Sequence, residues 1–141
     1  MKVLILSSGG LYGAWQAGAI LELARAGRTW DHVIGSSAGA FNAAFLAQYP
    51  KRKTRTAAEK LVRTWLELFH KIPTPSIISC ETCWSIACNQ SSVRSDQILE
   101  RALTSISEQA IRRSDVDLSV VATSLESGKT TFTKEYREIK E

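Results

Sequence analysis

At 141 residues the chain is long enough for one domain with its own core, and 44% hydrophobic against 23% charged residues is a globular balance. No apolar run approaches the roughly 20 residues that span a bilayer, and Val3-Leu4-Ile5-Leu6 is too short for a secretory leader. Eighteen Lys and Arg against fourteen Asp and Glu leave a net charge of +4, and no part of the pattern reads as a nucleic-acid module.

Lys2 to Ser7 reads as a first strand, because a continuous apolar run suits a strand covered on both faces. A helix is expected from Leu11 to Ala26, with Ala14, Ala17, Gly18 and Leu21 on one face and Gly27 as its stop. Trp30 to Ile34 is the second strand, followed by a tight turn and a helix to about Tyr49, where Phe41, Ala44, Phe45 and Gln48 fall one turn apart and Pro50 ends the run. Lys51-Arg52-Lys53-Thr54-Arg55 reads as a solvated loop that also offers contact with anionic headgroups. Thr56 and Glu59 form a capping box for a helix carrying Leu61, Trp65, Leu68 and Phe69 on one side and closing at His70.

Pro73 and Pro75 then interrupt regular structure, and Ser76 to Ser92 forms an irregular excursion. Its cysteines, Cys80, Cys83 and Cys88, are odd in number, which fits a reducing, cytoplasmic compartment. With His70 they make a weak zinc set, since no second C-x-x-C or H-x-x-x-H accompanies them. Ser95 caps a helix to about Ser105 whose apolar face is Ile98, Leu99, Ala102, Leu103 and Ile106, and a shorter helix spans Glu108 to Arg113. Leu118 to Ala122 is a third strand, turning at Glu126-Ser127-Gly128-Lys129 into a fourth, Thr130 to Thr133. Residues 134–141 carry six charges in eight and read as an exposed tail.

Chemistry concentrates in Gly35-Ser36-Ser37-Ala38-Gly39, a G-x-S-x-G turn between strand and helix. Such an elbow holds Ser37 out of regular structure as a nucleophile. It demands small neighbours, which Gly35, Ser36, Ala38 and Gly39 supply, and it aims a helix N-terminus at the serine. A second small-residue loop, Ser8-Gly9-Gly10-Leu11-Tyr12-Gly13, follows the first strand. Two loops separated by one β-α unit come off adjacent parallel strands and face one crevice, so the Gly9 and Gly10 amides become oxyanion-hole donors.

These two motifs, S-G-G-L-Y-G-A-W-Q-A-G and G-S-S-A-G-A-F-N-A-A, resemble the opening of a patatin-like phospholipase domain, and weaker similarity reaches Ala122 to Lys129. The resemblance implies a three-layer α/β/α acyl hydrolase fold with a mainly parallel sheet. It also implies a glycine-rich oxyanion loop (Ser8, Gly9, Gly10, Leu11, Gly13), the nucleophile Ser37, and an Asp from a later D-G-[GA] turn as base. Three departures stand out: Ser8 replaces the first loop glycine, Tyr12 stands where the family has Arg or Lys, and no D-G-[GA] occurs. Residues 1–141 are therefore expected to be a partial domain, truncated at its C-terminal side.

The expected function is lipid acyl ester hydrolysis through a Ser/Asp dyad, with no metal or organic cofactor. The partners are lipid or acyl-ester substrates, with peripheral contact at a membrane surface and self-association through an exposed sheet edge. A Ser/Asp/His triad fits poorly, because no Asp lies between Ser37 and His70, the one downstream histidine. A nucleotide-binding module, the alternative together with an inactive interaction module, wants a carboxylate at the end of the second strand, whereas Asp31 begins it.

Overall fold

Four strands form one sheet in the order β1-β2-β3-β4 in a computed structural model that describes residues 1–70, 102–124 and 126–134. The strands are β1 (Val3–Leu6), β2 (His32–Ser36), β3 (Asp117–Thr123) and β4 (Thr130–Lys134). The first three run parallel, with Leu6 beside Gly35 and Gly35 beside Val120, and β4 returns antiparallel with Val121 beside Phe132. Three helices, α1 (Gly13–Arg25), α2 (Ala38–Ala47) and α3 (Thr54–His70), pack on one another, and the short α4 (Glu108–Arg113) precedes β3.

Both crossovers, β1 to β2 and β2 to β3, step in the same direction across the sheet. Right-handed connections therefore place α1 and α2 on the same face. That face carries Leu4, Leu6, Val33, Gly35, Leu118 and Val120, alternating with the opposite set along each strand. Its core is built from Ile20, Val33, Leu46 and Leu61, all fully buried, with Trp30 and Trp65 closing the two ends. Phe41 stands edge-on to Trp65 at 5.6 Å between ring centres. The described residues thus form two layers of the α/β fold, and the Cys80–Cys88 excursion, Asp96 and residues 135–141 lie outside them, as does the His70 side chain.

Several boundaries differ from the sequence reading. β2 begins and ends two residues later than expected, because Trp30 is buried from the preceding loop and pairing starts where Asp31 N–H meets the Lys2 carbonyl. Residues 10–12 form a 3-10 turn rather than the first turn of α1, since Gly10 at φ 52 has left the right-handed region. The helix α2 stops at Ala47 and buries Asn42, Ala43, Leu46 and Ala47 as well as Phe45, so its apolar surface is wider than one stripe.

The basic stretch Lys51 to Arg55 keeps Arg52, Lys53 and Arg55 exposed, as expected of solvated charge, but it is not an irregular loop. Lys51–Lys53 form a 3-10 turn, Thr54 opens α3, and the expected Thr56 cap lies inside the helix. The Lys51 ammonium pairs with Asp31, and the Lys51 amide donates to Asp115 at 2.7 Å. This ties the turn to the amino ends of β2 and β3. Leu103, expected on an apolar face, is exposed, whereas Ala102 beside it is buried.

The two edges of the sheet have opposite chemistry. β4 reads Thr-Thr-Phe-Thr-Lys, the polar, lysine-bearing composition of a strand that ends a sheet. β1 reads Val-Leu-Ile-Leu, apolar on both faces like an interior strand, yet it lies at the other edge with Ile5 73% exposed. Beside it an open groove of about 240 Å³ runs along α1, lined by Leu4, Leu6, Trp15, Ala19 and Leu23.

Candidate active site

Ser37 is the one non-glycine residue with positive φ among the described residues, at φ 54 and ψ −124. A side chain in that conformation costs on the order of 1–3 kcal/mol and persists only where the surroundings hold it. They do so by close packing. A Cβ on Gly35 would overlap the Gly39 carbonyl oxygen, and one on Gly39 would overlap the carbonyl oxygens of Leu6 and Ser7. The elbow is therefore a contact of bare backbones, with β2 against the first turn of α2 and that turn against the end of β1. Its product is an exposed Ser37 side chain at the carboxyl end of the sheet.

The amides around the serine are arranged by their own carbonyls. Every peptide bond described is trans, so a carbonyl fixed on one side sends the next residue's N–H to the other. The Ser37 carbonyl accepts from Ala40 (2.9 Å) and Phe41 (3.2 Å), which points the Ala38 N–H out of the helix end. In the Ser8–Gly13 loop, Gly9 C=O accepts from Tyr12 N–H at 3.0 Å, which turns the Gly10 N–H outward. Gly10 takes φ 52, a conformation glycine adopts without strain. The loop and the elbow meet where Gly39 abuts Leu6 and Ser7. The two sides of the expected crevice thus stand together at the carboxyl ends of β1 and β2, Ser8, Gly9, Gly10, Leu11 and Gly13 in the loop and Gly35, Ser36, Ser37, Ala38 and Gly39 in the elbow.

A polar cluster centred on the buried Asn42 lies beside the two loops, where the sequence pattern gives only an indirect sign of it. Asn42 is fully buried. Its Nδ2 donates to the Gly13 carbonyl (2.9 Å) and to Gln16 Oε1 (3.2 Å), while its Oδ1 accepts from Trp65 Nε1 (2.8 Å). Gln16 Nε2 in turn donates to the Ser7 carbonyl at 2.9 Å. One signal was available: an asparagine in the middle of Ala-Gly-Ala-Phe-Asn-Ala-Ala-Phe-Leu-Ala is a polar residue in a helix with no polar face to hold it.

The aspartates described lie at the other end of the sheet. Asp31 is engaged by Lys51 and by the Lys2 amide at the start of β2, so it offers no carboxylate to a ribose at the strand's end. Asp115 and Asp117 precede and open β3. His32, at the start of β2, meets Ser119 Oγ across the ladder at 2.8 Å, well removed from the elbow. Glu126, in the turn joining β3 to β4, stands at the same carboxyl end of the sheet as Ser37. The basic turn at Lys51–Lys53 sits at the amino end, away from the elbow, whereas Leu11, Tyr12 and Trp15 are exposed large apolar residues in and just after the Ser8–Gly13 loop. No helix among the described residues is long and apolar enough to cross a membrane.

Comparison with curated proteins and with solved structures gives no match. The model of the Patatin-like phospholipase family matches residues 4–137, nearly the whole chain and both loops of the crevice. With an α/β sheet that is mainly parallel and that match over its length, the chain belongs to the patatin-like phospholipase family.

Proposed function

We propose that this chain carries the nucleophile and the oxyanion side of a serine acyl hydrolase of lipase or phospholipase A type. The observation that carries the reading is Ser37 itself, exposed and held at positive φ by two backbone contacts that no larger residue would permit. Ser37 Oγ attacks the carbonyl carbon of a lipid acyl ester, and its proton passes to a carboxylate base. The carbonyl oxygen gathers negative charge among outward N–H groups of the loop and of Ala38. As the carbon–oxygen bond to the alcohol breaks, the alcohol leaves with a proton, and water then releases the acyl group from Ser37.

The base of this reading is an Asp in a D-G-[GA] turn, which the 141 residues do not contain. The chain alone is accordingly expected to hydrolyse a short-chain ester poorly, and appending a segment with that turn should raise the Ser37-dependent rate. Equal Ser37-dependent rates with and without the segment would mean that a carboxylate of the chain is the base. Glu126→Gln and Asp96→Asn would then identify it.

The crevice rim of Leu11, Tyr12 and Trp15 suits peripheral contact with a lipid surface, since aromatic side chains settle at the interface between headgroup and acyl chain. A cytoplasmic setting accords with three cysteines that cannot all pair. The interior-like edge β1 is the surface for self-association, and light scattering of the purified chain should show a mass that rises with concentration. A strictly monomeric chain across the micromolar range would refute it.

A further inference from the structure

We propose that Gln16, held in place by Asn42, is the positioning residue of the oxyanion loop, and that it makes the Ser8 amide a donor to the acyl oxygen. This rests on the acyl-transfer reading above. Gln16 sits one turn into α1, below the loop, and its carboxamide is used at both ends. Oε1 accepts from Asn42 Nδ2 at 3.2 Å, and Nε2 donates to the Ser7 carbonyl at 2.9 Å.

The first bond decides which end of the carboxamide faces Ser7. Asn42 is fully buried, and its own oxygen is taken by Trp65 Nε1 at 2.8 Å, so only its Nδ2 is left for Gln16. A donor there demands the oxygen of Gln16, and the Gln16 nitrogen is left for Ser7. The chain Trp65 to Asn42 to Gln16 to Ser7 therefore runs donor to acceptor in one direction.

The second bond decides the loop. The Ser7–Ser8 peptide is trans, so holding the Ser7 oxygen toward Gln16 sends the Ser8 N–H to the opposite side, away from α1. The Ser7 oxygen also lies against Gly39, at the elbow, so this peptide plane is the seam between the two halves of the crevice. Were the plane to rotate, a carbonyl oxygen would face the crevice in place of an N–H and would repel a developing oxyanion. The side chain at position 8 is immaterial to a backbone donor, which accounts for Ser8 where the family has glycine.

Gln16→Glu tests this, because it keeps the shape of the side chain and its acceptor for Asn42 while removing the donor to Ser7. At neutral pH the Ser8 amide resonance of the nitrogen-15-labelled variant should move far from its wild-type position while the rest of the spectrum stays folded. Labelling of Ser37 by an alkyl fluorophosphonate should slow by about tenfold or more, toward the loss of one oxyanion donor. Lowering the pH through the glutamate range, about 4.3 for a free side chain, restores an O–H donor and should return the Ser8 resonance toward its wild-type position. A merely structural role would show no such reversal.

An unmoved Ser8 resonance in the folded variant overturns the proposal. Should the resonance move and revert while Ser37 labelling is unchanged, Gln16 sets the loop and the acyl-transfer reading is what fails. Should Gln16→Glu not fold, wild-type hydrogen exchange decides. Slow exchange of the Gln16 carboxamide with fast exchange of the Ser8 amide supports the proposal, and fast exchange of the carboxamide overturns it.

Discussion

Replacing Ser37 with alanine is expected to abolish covalent labelling of the chain by an alkyl fluorophosphonate at alkaline pH, where solvent hydroxide can take the proton that a side-chain base otherwise takes. The chain has other serines close by, at Ser7, Ser8 and Ser36, and the geometry separates them. Ser36 is the last residue of β2, paired with Val121, and Ser7 has its carbonyl engaged by Gln16. Ser37 alone combines an exposed side chain with positive φ at the head of a helix whose first amides face outward. The readout is intact mass followed by peptide mapping. Labelling that persists unchanged in Ser37→Ala would place the nucleophile elsewhere and remove the basis of the proposed function.

Gly39→Ala should be nearly as damaging, and for a reason unconnected with chemistry on the substrate. A single methyl group at Gly39 would come within 2.3 Å of the Leu6 carbonyl oxygen and 2.6 Å of that of Ser7. Neither neighbour is a flexible side-chain tip that can swing away, since both belong to the backbone at the end of β1. Overpacking a tight interior costs about 1–3 kcal/mol in general, and a backbone-on-backbone clash belongs at the top of that range. The expected result is a loss of about 3 kcal/mol in urea unfolding, with Ser37 labelling lost even in the folded fraction, because α2 must back away from β1 and carry the elbow with it. A variant of wild-type stability and labelling rate would show that the elbow tolerates a looser fit than its geometry implies.

What could be read from residues alone was whatever depends on local pattern. The unbroken Val3 to Leu6 run, the helical spacing in α1 and the match of Glu108 to Arg113 to a short helix all follow from periodicity and caps. The elbow at Ser37 was legible for the same reason, since a turn that needs small residues on both sides of a serine leaves its demand in adjacent positions. Boundaries were less legible. Trp30 and Asp31 look like strand residues but serve burial and an ion pair from a loop, and Lys51 to Lys53 look like solvated charge but form a turn whose lysine pairs with Asp31.

Motif and periodicity thus determined by themselves the α/β class and the family, because each is written in residues a few positions apart. The place of Asp31, Asp115 and Asp117 at the amino ends of their strands was already legible in the sequence, whereas tertiary structure alone decided the direction of the Ser7–Ser8 peptide and the cluster of Asn42, Gln16 and Trp65 beneath it. Those facts depend on which strand neighbours which and on which side of each plane a hydrogen bond forms. Partners separated by 9 to 29 positions leave no local pattern from which that geometry could be read.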